Sequence, residues 1–327
     1  MRAVICDRYG SPEVLRLAVV PKPVPKDNEV LIRICATTVH IGDSKIRRLS
    51  PGMGFPLDPL VKVIMLFVVG FRGPRRKILG MEFSGVIEET GRSVTRFTKG
   101  DEVFAGTETR FGAYAEYICL PEDWALVKKP VTMTHEEAAA LPNGGLTALL
   151  MLRKAGLKSG QKILIYGASG SVGTFAVQLA KSFGAEVTGV CSGANLDLVR
   201  SLGADRAIDY TTTDFTASSE TYDVIFDAVG KLSRSRVKGA LKSTGRYYNV
   251  LTDSGTSMKL YAADLEYLKD LAEAGKLRSV VDRKYTLAEI VEAHRYVDLG
   301  HKKGNVVVTV AGASSKGPRG QHDSRDA

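Results

Sequence analysis

The sequence predicts an α/β protein built from a β-rich N-terminal third and a doubly wound parallel sheet further along the chain. Three observations carry that expectation. Short apolar or β-branched stretches broken by turn residues fill the first third. Strand and helix periodicities alternate after Pro121. A glycine triplet stands between a strand and a helix at Lys162–Phe183.

In chain order, Arg2–Cys6, Glu29–Thr38, Phe83–Thr90, Glu102–Ala105 and Ala113–Cys119 read as strands, with Pro21–Pro25, Gly91, Lys99–Gly100 and Gly112 as breaks. This is the pattern of a small barrel-like unit. Thr134 before His135-Glu136-Glu137 is a helix start with acidic residues in its first turn. Lys162–Tyr166 is a strand, and Val172, Phe175, Ala176, Leu179, Ala180 and Phe183 repeat at helical spacing until Gly184. Glu186–Cys191, Ala207–Tyr210, Tyr222–Asp227 and Arg246–Val250 read as further strands. Leu196–Leu202 is a helix closed by Gly203, and another helix runs up to Leu241. A helix at Asp264–Ala274 and a last strand at Asn305–Val310 are expected to return the chain to the first unit. From Gly312 onward the aperiodic polar composition reads as a disordered tail.

The 327 residues exceed one ordinary core and suit two domains. The net charge of +9 could serve an anionic partner, but the basic residues are scattered in short groups (Arg72–Lys77, Lys128–Lys129). Scattered charge is usually a solvated surface, which argues against a nucleic-acid partner. Cys6, Cys35, Cys119 and Cys191 show no paired spacing, against disulfides and structural zinc and for a reducing compartment. MRAVICDRYG lacks a secretion signal, so a cytoplasmic protein is expected. Val61–Phe71, the most apolar run, contains Lys62 and is too short for a bilayer, so no membrane span is expected. It reads as a buried segment or a pocket wall.

Residues 162–173 read KILIYGASGSVG. Gly167, Gly170 and Gly173, with Ala168, Ser169, Ser171 and Val172 between them, form a turn that lets the backbone approach a pyrophosphate. The helix behind the turn offers free N–H groups and a partial positive charge. A dinucleotide is therefore expected here. An NAD site usually places a carboxylate after the second strand, whereas this chain has Cys191-Ser192-Gly193-Ala194-Asn195. The missing carboxylate favours NADPH, with Ser192 and Asn195 as hydrogen-bond donors and Arg200 near in sequence. The same residues could instead simply cap the helix at Leu196.

GASGSVGTFAVQLAKSFGAEVTGV resembles the cofactor turn of the zinc-independent quinone oxidoreductase branch of the medium-chain dehydrogenases/reductases. So do ILGMEFSGVIEETG, FTKGDEVF, GAYAEY, EEAAALPNGGLTAL, LGADRAIDY, YDVIFDAVG and EAHRYVDLGHKKGNVVVTV, in the family's order from Arg2 to about Val310. The resemblance implies a GroES-like catalytic domain from residues 1–124 and 263–311 and a Rossmann domain at 125–262, with 312–327 as the tail. It also implies a cleft between the domains. Thr147, Tyr210, Val250, Leu251 and Asn305 match positions that contact the cofactor in relatives.

The resemblance also bears on metal. Zinc-dependent members place Cys, His-Glu and Cys where this chain has His40, Met81-Glu82 and Asn143, so no zinc is expected, since about three good ligands are needed. The implied activity is metal-free hydride transfer from NADPH to a small-molecule quinone or α,β-unsaturated carbonyl. His40 and Lys45 in VHIGDSKIR are the catalytic candidates, or else a hydrogen-bonded cleft residue and a solvated one. Asp43 reads as structural. A non-catalytic NADPH-binding regulatory or RNA-binding role and an alcohol dehydrogenase are the alternatives. Asn249–Ala262 is shorter than in relatives, where it builds the last sheet strand and often the dimer edge. A homodimer is one expectation of the resemblance, and this shortening bears directly on it.

Overall fold

The computed structural model describes residues 1–50, 57–254 and 261–310. The expected tail at 312–327 lies outside the described residues, as do 255–260 of the shortened segment. The first part of the chain contains β1 (Arg2–Cys6), β2 (Leu15–Val19), β3 (Glu29–Thr38), α1 (Ile41–Arg48), α2 (Leu57–Val69), β4 (Glu82–Thr90), β5 (Glu102–Gly106), β6 (Tyr117–Pro121) and β7 (Leu126–Lys128). Then follow α3 (His135–Ala139), α4 (Pro142–Ala155), β8 (Lys162–Tyr166), α5 (Ser171–Ser182), β9 (Glu186–Cys191), α6 (Leu196–Ser201), β10 (Arg206–Asp209), β11 (Tyr222–Asp227), α7 (Arg234–Val237) and β12 (Leu241–Asn249). The chain closes with α8 (Val250–Asp253), α9 (Ala262–Glu273), β13 (Val281–Thr286), α10 (Ile290–Asp298) and β14 (Asn305–Thr309).

Strand β3 organises the first lobe. Its run EVLIRICATT is buried along nearly its whole length, with Val30, Ile32 and Ile34 packed in the lobe's core and Ala36 against Ala139, and both its edges are occupied. Strand β4 lies on one edge, while β6 pairs with Glu29–Arg33 and β14 with Ala36–Thr38 on the other. The mixed sheet runs β13-β14-β3-β4-β5-β7, so the C-terminal strand does return to the N-terminal lobe. Phe83, Ile32, Val103, Leu120 and Val306 lie in its core.

The second lobe is a parallel sheet in the order β10-β9-β8-β11-β12. The order reverses beside β8, which pairs with β9 on one side and β11 on the other. In open α/β sheets that switch point marks the ligand crevice at the carboxyl ends of the strands. Helix α5 buries Phe175, Ala176, Leu179 and Ala180 against this sheet, the face its 3.6-residue repeat required. Gly184 (φ +79°) and Gly203 (φ +100°) lie just past helix ends in conformations that favour glycine.

Several expectations change. Leu241 belongs to β12 rather than to a preceding helix, and Val250 opens a short helix instead of ending the strand. Ala113 precedes β6 rather than starting it. The apolar run Val61–Phe71 is not buried. It forms most of α2, with Val63, Ile64, Phe67, Val68 and Phe71 between 50% and 67% exposed.

Helix α1 was not legible as a helix, and it is held by a fully buried arginine. Arg47 donates to the Asp298 carboxylate at 2.5 Å and to the Gly10 carbonyl at 2.6 Å, with His294 Nδ1 3.4 Å from its Nε. These contacts pin α1 to α10. Replacing Asp298 with Asn leaves the guanidinium buried without a counter-charge. It should lower stability by about 2–4 kcal/mol, discounted because Asp298 is partly exposed. The midpoint of urea unfolding checks this, and an unchanged midpoint would show that Arg47 needs no counter-ion.

Candidate active site

The glycine turn sits where β8 gives way to α5. Gly167 adopts φ +79°, and a Cβ there would lie 2.1 Å from Val229 Cγ2, at the end of β11. A Cβ on Gly173 would lie 2.1 Å from the Gly167 carbonyl oxygen, so the third glycine is needed for helix and strand to touch. Gly170 differs. It is the N-cap of α5 at φ −81°, and the nearest atom a Cβ would meet is 3.4 Å away. Nothing in the protein requires glycine at Gly170 except space above the turn. Ala168 is buried below the turn, while Ser169, Ser171 and Val172 are half-buried.

The end of β9 corrects the capping reading, and it leaves Asn195 with a free acceptor rather than a free donor. Asn195 makes no side-chain cap. Its Nδ2 donates to Ser169 Oγ at 3.2 Å and to Ser192 Oγ at 3.1 Å, and its buried Oδ1 has no partner. An orphaned buried oxygen beside a glycine turn is what a polar ligand would satisfy. Arg200 instead pairs with the exposed Asp197 at 3.0 Å. The sequence suggested that no carboxylate stands here, yet the fold brings one from the next strand. A Cβ on Gly193 would lie 2.6 Å from Asp209 Oδ2. That carboxylate accepts from the Thr211 N–H at 2.9 Å and its hydroxyl at 2.7 Å. These bonds hold it below the usual carboxylate range.

Asp227 shapes the opposite wall by accepting from the N–H groups of Val229, Gly230 and Leu232 at 2.7–3.0 Å. Leu251 packs where a Cβ on Gly230 would stand, and Val250 is half-buried beside it. Thr147 is buried in α4, and Tyr210 is half-exposed with its ring 6.2 Å from that of Tyr166.

The first lobe reaches the turn through the segment before β14. Gly304 N–H donates to the Ser169 carbonyl at 2.8 Å, and the Ser171 hydroxyl hydrogen-bonds Asn305 Oδ1. Lys302 donates to the Gly304 carbonyl at 2.6 Å. Burial holds its ammonium down, to about 8, while Glu82 and Asp282 pull the other way. Sequence reading missed Lys302, treating HKKG only as a family motif. Its signal is visible only in three dimensions.

His40 is the N-cap of α1. Its Nδ1 accepts from Gly42 N–H at 3.1 Å, and its own N–H donates to Asp43 Oδ2 at 3.1 Å. Burial, then the charges of Lys302 and Lys45, push His40 down to about 3. The ring is therefore neutral, with Nδ1 as acceptor and the proton on Nε2. Asp43 Oδ1 accepts from Gly80 N–H at 3.0 Å, which gives it a structural use. Glu82 accepts from the Thr38 hydroxyl and from Asn143 N–H at 2.7 Å, and burial raises it to about 7. Asn143 Nδ2 donates to the Met81 carbonyl at 3.3 Å, and Met81 Sδ packs where a Cβ on Gly42 would be.

Gly170→Ala should leave the melting temperature unchanged and raise the dissociation constant for a nicotinamide dinucleotide at least tenfold, about 1.4 kcal/mol. Gly173→Ala should instead lower the melting temperature. Fluorescence titration and thermal melts separate the two. Unaltered affinity in Gly170→Ala would show that the cofactor does not cross the turn.

Residues 26–131 match the alcohol dehydrogenase GroES-like domain, and residues 202–308 match the zinc-binding dehydrogenase domain. The mouse mitochondrial NAD(P)H oxidoreductase RTN4IP1 is 33% identical over 95% of this chain and 89% of its own length. The tomato 2-methylene-furan-3-one reductase is 33% identical over 94% and 79%. The structure of the quinone oxidoreductase from Coxiella burnetii superposes with a TM-score of 0.78 at 30% identity, over 95% of this chain and 99% of that one. With these likenesses running through both lobes and the glycine turn between them, the chain belongs to the quinone oxidoreductase-like branch of the medium-chain dehydrogenase/reductase superfamily.

Proposed function

We propose that the protein reduces quinones or α,β-unsaturated carbonyls with NADPH and without a catalytic metal, as a cytoplasmic enzyme. The observation that carries this reading is the junction of Ser169, Gly304 and Lys302, which joins the glycine turn to a lysine whose charge reaches His40. Bound at the turn, the dinucleotide would supply hydride to an electron-poor carbon.

The chain's own residues do the rest. His40 Nε2–H donates to the acceptor's oxygen, and the Lys302 and Lys45 charges stabilise the negative charge that develops there. Protonation from Lys302 or solvent completes the reduction. Thr147, Tyr210, Val250, Leu251 and Asn305 line the path assigned to the cofactor, beside the turn residues Gly167 to Gly173.

The donor set does not fit zinc. Asn143 uses its amide and backbone N–H groups on Met81 and Glu82, and His40 Nδ1 is taken by Gly42. A thioether and an amide do not make up the ligand count that catalytic zinc needs. For the dinucleotide, the choice of NADPH rests on the lack of a carboxylate in the segment directly after β9 and on the Ser192 hydroxyl there, against the Asp209 carboxylate that the fold brings in from β10. A relative from Arabidopsis thaliana is named for NADPH-dependent alkenal/one reduction, which supports the choice.

Spectrophotometric screening of NADPH and NADH oxidation against quinones, enones and aldehydes tests this. Quinone or enone turnover with NADPH preferred is the expected result. If no acceptor is reduced while cofactor binds normally, the catalytic reading fails. Because Lys302 sits near 8, kcat/KM should hold below that pH and fall about tenfold per unit above it, as the ammonium is lost. Lys302→Arg, which does not titrate in this range, should remove the fall. A wild-type profile flat to pH 9.5 would exclude Lys302 as the group.

A further inference from the structure

Helix α2 has no apparent use in the chemistry described, and it is apolar on its outside. Val63, Ile64, Phe67, Val68 and Phe71 follow i, i+1, i+4, i+5 and i+8 spacing, so they share one face of the helix and its C-terminal extension. All five are half or more exposed, and Phe67 and Phe71 meet edge to face at 4.9 Å. The base of this ridge is fixed. Tyr9 donates to the Gly70 carbonyl at 2.7 Å, Arg75 N–H donates to Val69, and a Cβ on Gly73 would lie 2.1 Å from the Asp7 carbonyl oxygen. A contiguous apolar ridge of this kind on a soluble protein marks a contact surface.

The residues that follow decide what it contacts. Arg72, Arg75, Arg76 and Lys77 are exposed directly beyond the ridge. Only Lys77 forms an ion pair among the described residues, with Asp7 at 3.2 Å, whereas Arg2 and Arg16 nearby both pair with carboxylates. A second copy docking through this face about a twofold axis would bring two uncompensated basic runs into one interface. An anionic lipid surface accepts both features, apolar side chains at the acyl boundary and arginines among the headgroups. Thirteen residues rise only about 20 Å, against roughly 30 Å of hydrocarbon, so the helix would lie in the interface rather than cross it.

We infer that the outer face of α2, with Arg72, Arg75 and Arg76, docks the protein on an anionic lipid bilayer. This does not depend on the proposed reaction. Flotation of the full-length protein with vesicles tests it, comparing phosphatidylcholine alone with phosphatidylcholine containing 30% phosphatidylglycerol. The expected result is binding to the anionic vesicles, weaker on the neutral ones and reduced by 0.5 M salt. Phe67→Ser with Val68→Ser should abolish it, and changing the three arginines to Ala should weaken it on the order of a hundredfold.

All these side chains are exposed, so melting temperature and NADPH binding should match the wild type and confirm folding. Absence of binding to anionic vesicles would overturn the inference, as would equal binding by correctly folded variants. A wild-type dimer, seen by light scattering, that Phe67→Ser with Val68→Ser converts to monomer would also overturn it. The covering partner would then be a second copy.

Discussion

The backbone N–H of Gly304 donates to the Ser169 carbonyl across 2.8 Å, and this contact ties the returning strand of one lobe to the glycine turn of the other. Ser171 and Asn305 add a side-chain bond beside it, and Asn305 N–H anchors the same point to Val280 at 2.8 Å. The consequences spread in both directions. On one side β14 pairs antiparallel with β3, whose end leads directly to His40 at the cap of α1. On the other the turn leads into α5 and the crevice at the switch point. A shift of this seam would move the histidine and Lys302 relative to the glycine turn, since all are carried by backbone connected through it.

Around the seam the chain concentrates ionisable groups where water is scarce. Burial is the largest cause for His40, Asp43, Glu82 and Lys302 alike, and in each it favours the uncharged form. Hydrogen bonds oppose it, from the Gly80 and His40 N–H groups for Asp43 and from the Thr38 hydroxyl and then Asn143 N–H for Glu82, so that both rise only to about 7. A metal is not the only way to organise charge in such a cleft. A neutral imidazole with a fixed donor nitrogen and a lysine near 8 offer a hydrogen bond and a mobile proton near neutral pH.

Much of this architecture was legible because local rules and tertiary packing agree. The strands Lys162–Tyr166, Glu186–Cys191 and Tyr222–Asp227 are short apolar runs bounded by turns, and their residues fold as read. The glycine triplet is legible for a related reason, since Gly167 and Gly173 stand where any Cβ would collide. The misses share a different cause. Asp209 approaches Gly193, and Lys302 bears on His40, across sheet and lobe, distances that periodicity does not encode. Helix α1 escaped because its start is capped by a histidine rather than by Ser, Thr, Asp or Asn. The shortened stretch before α9 leaves β12 as the last strand of the parallel sheet among the described residues.

The exposure of Val61–Phe71, expected either buried or as a pocket wall, has a sharper physical content. A short apolar run is the same sequence signal whether protein or another low-dielectric phase covers it, because hydropathy measures escape from water and not its destination. What distinguishes the cases is the company the run keeps. The end of α2 is fixed by its turn, as a core helix's end would be, but its outer face lies open and the arginines that follow find no carboxylate among the described residues. Apolar side chains turned outward carry a cost in water, whereas the exposed arginines beside them are well hydrated. An anionic interface removes the first cost and adds attraction to the cations, while a neutral apolar surface would strip their hydration without compensating them.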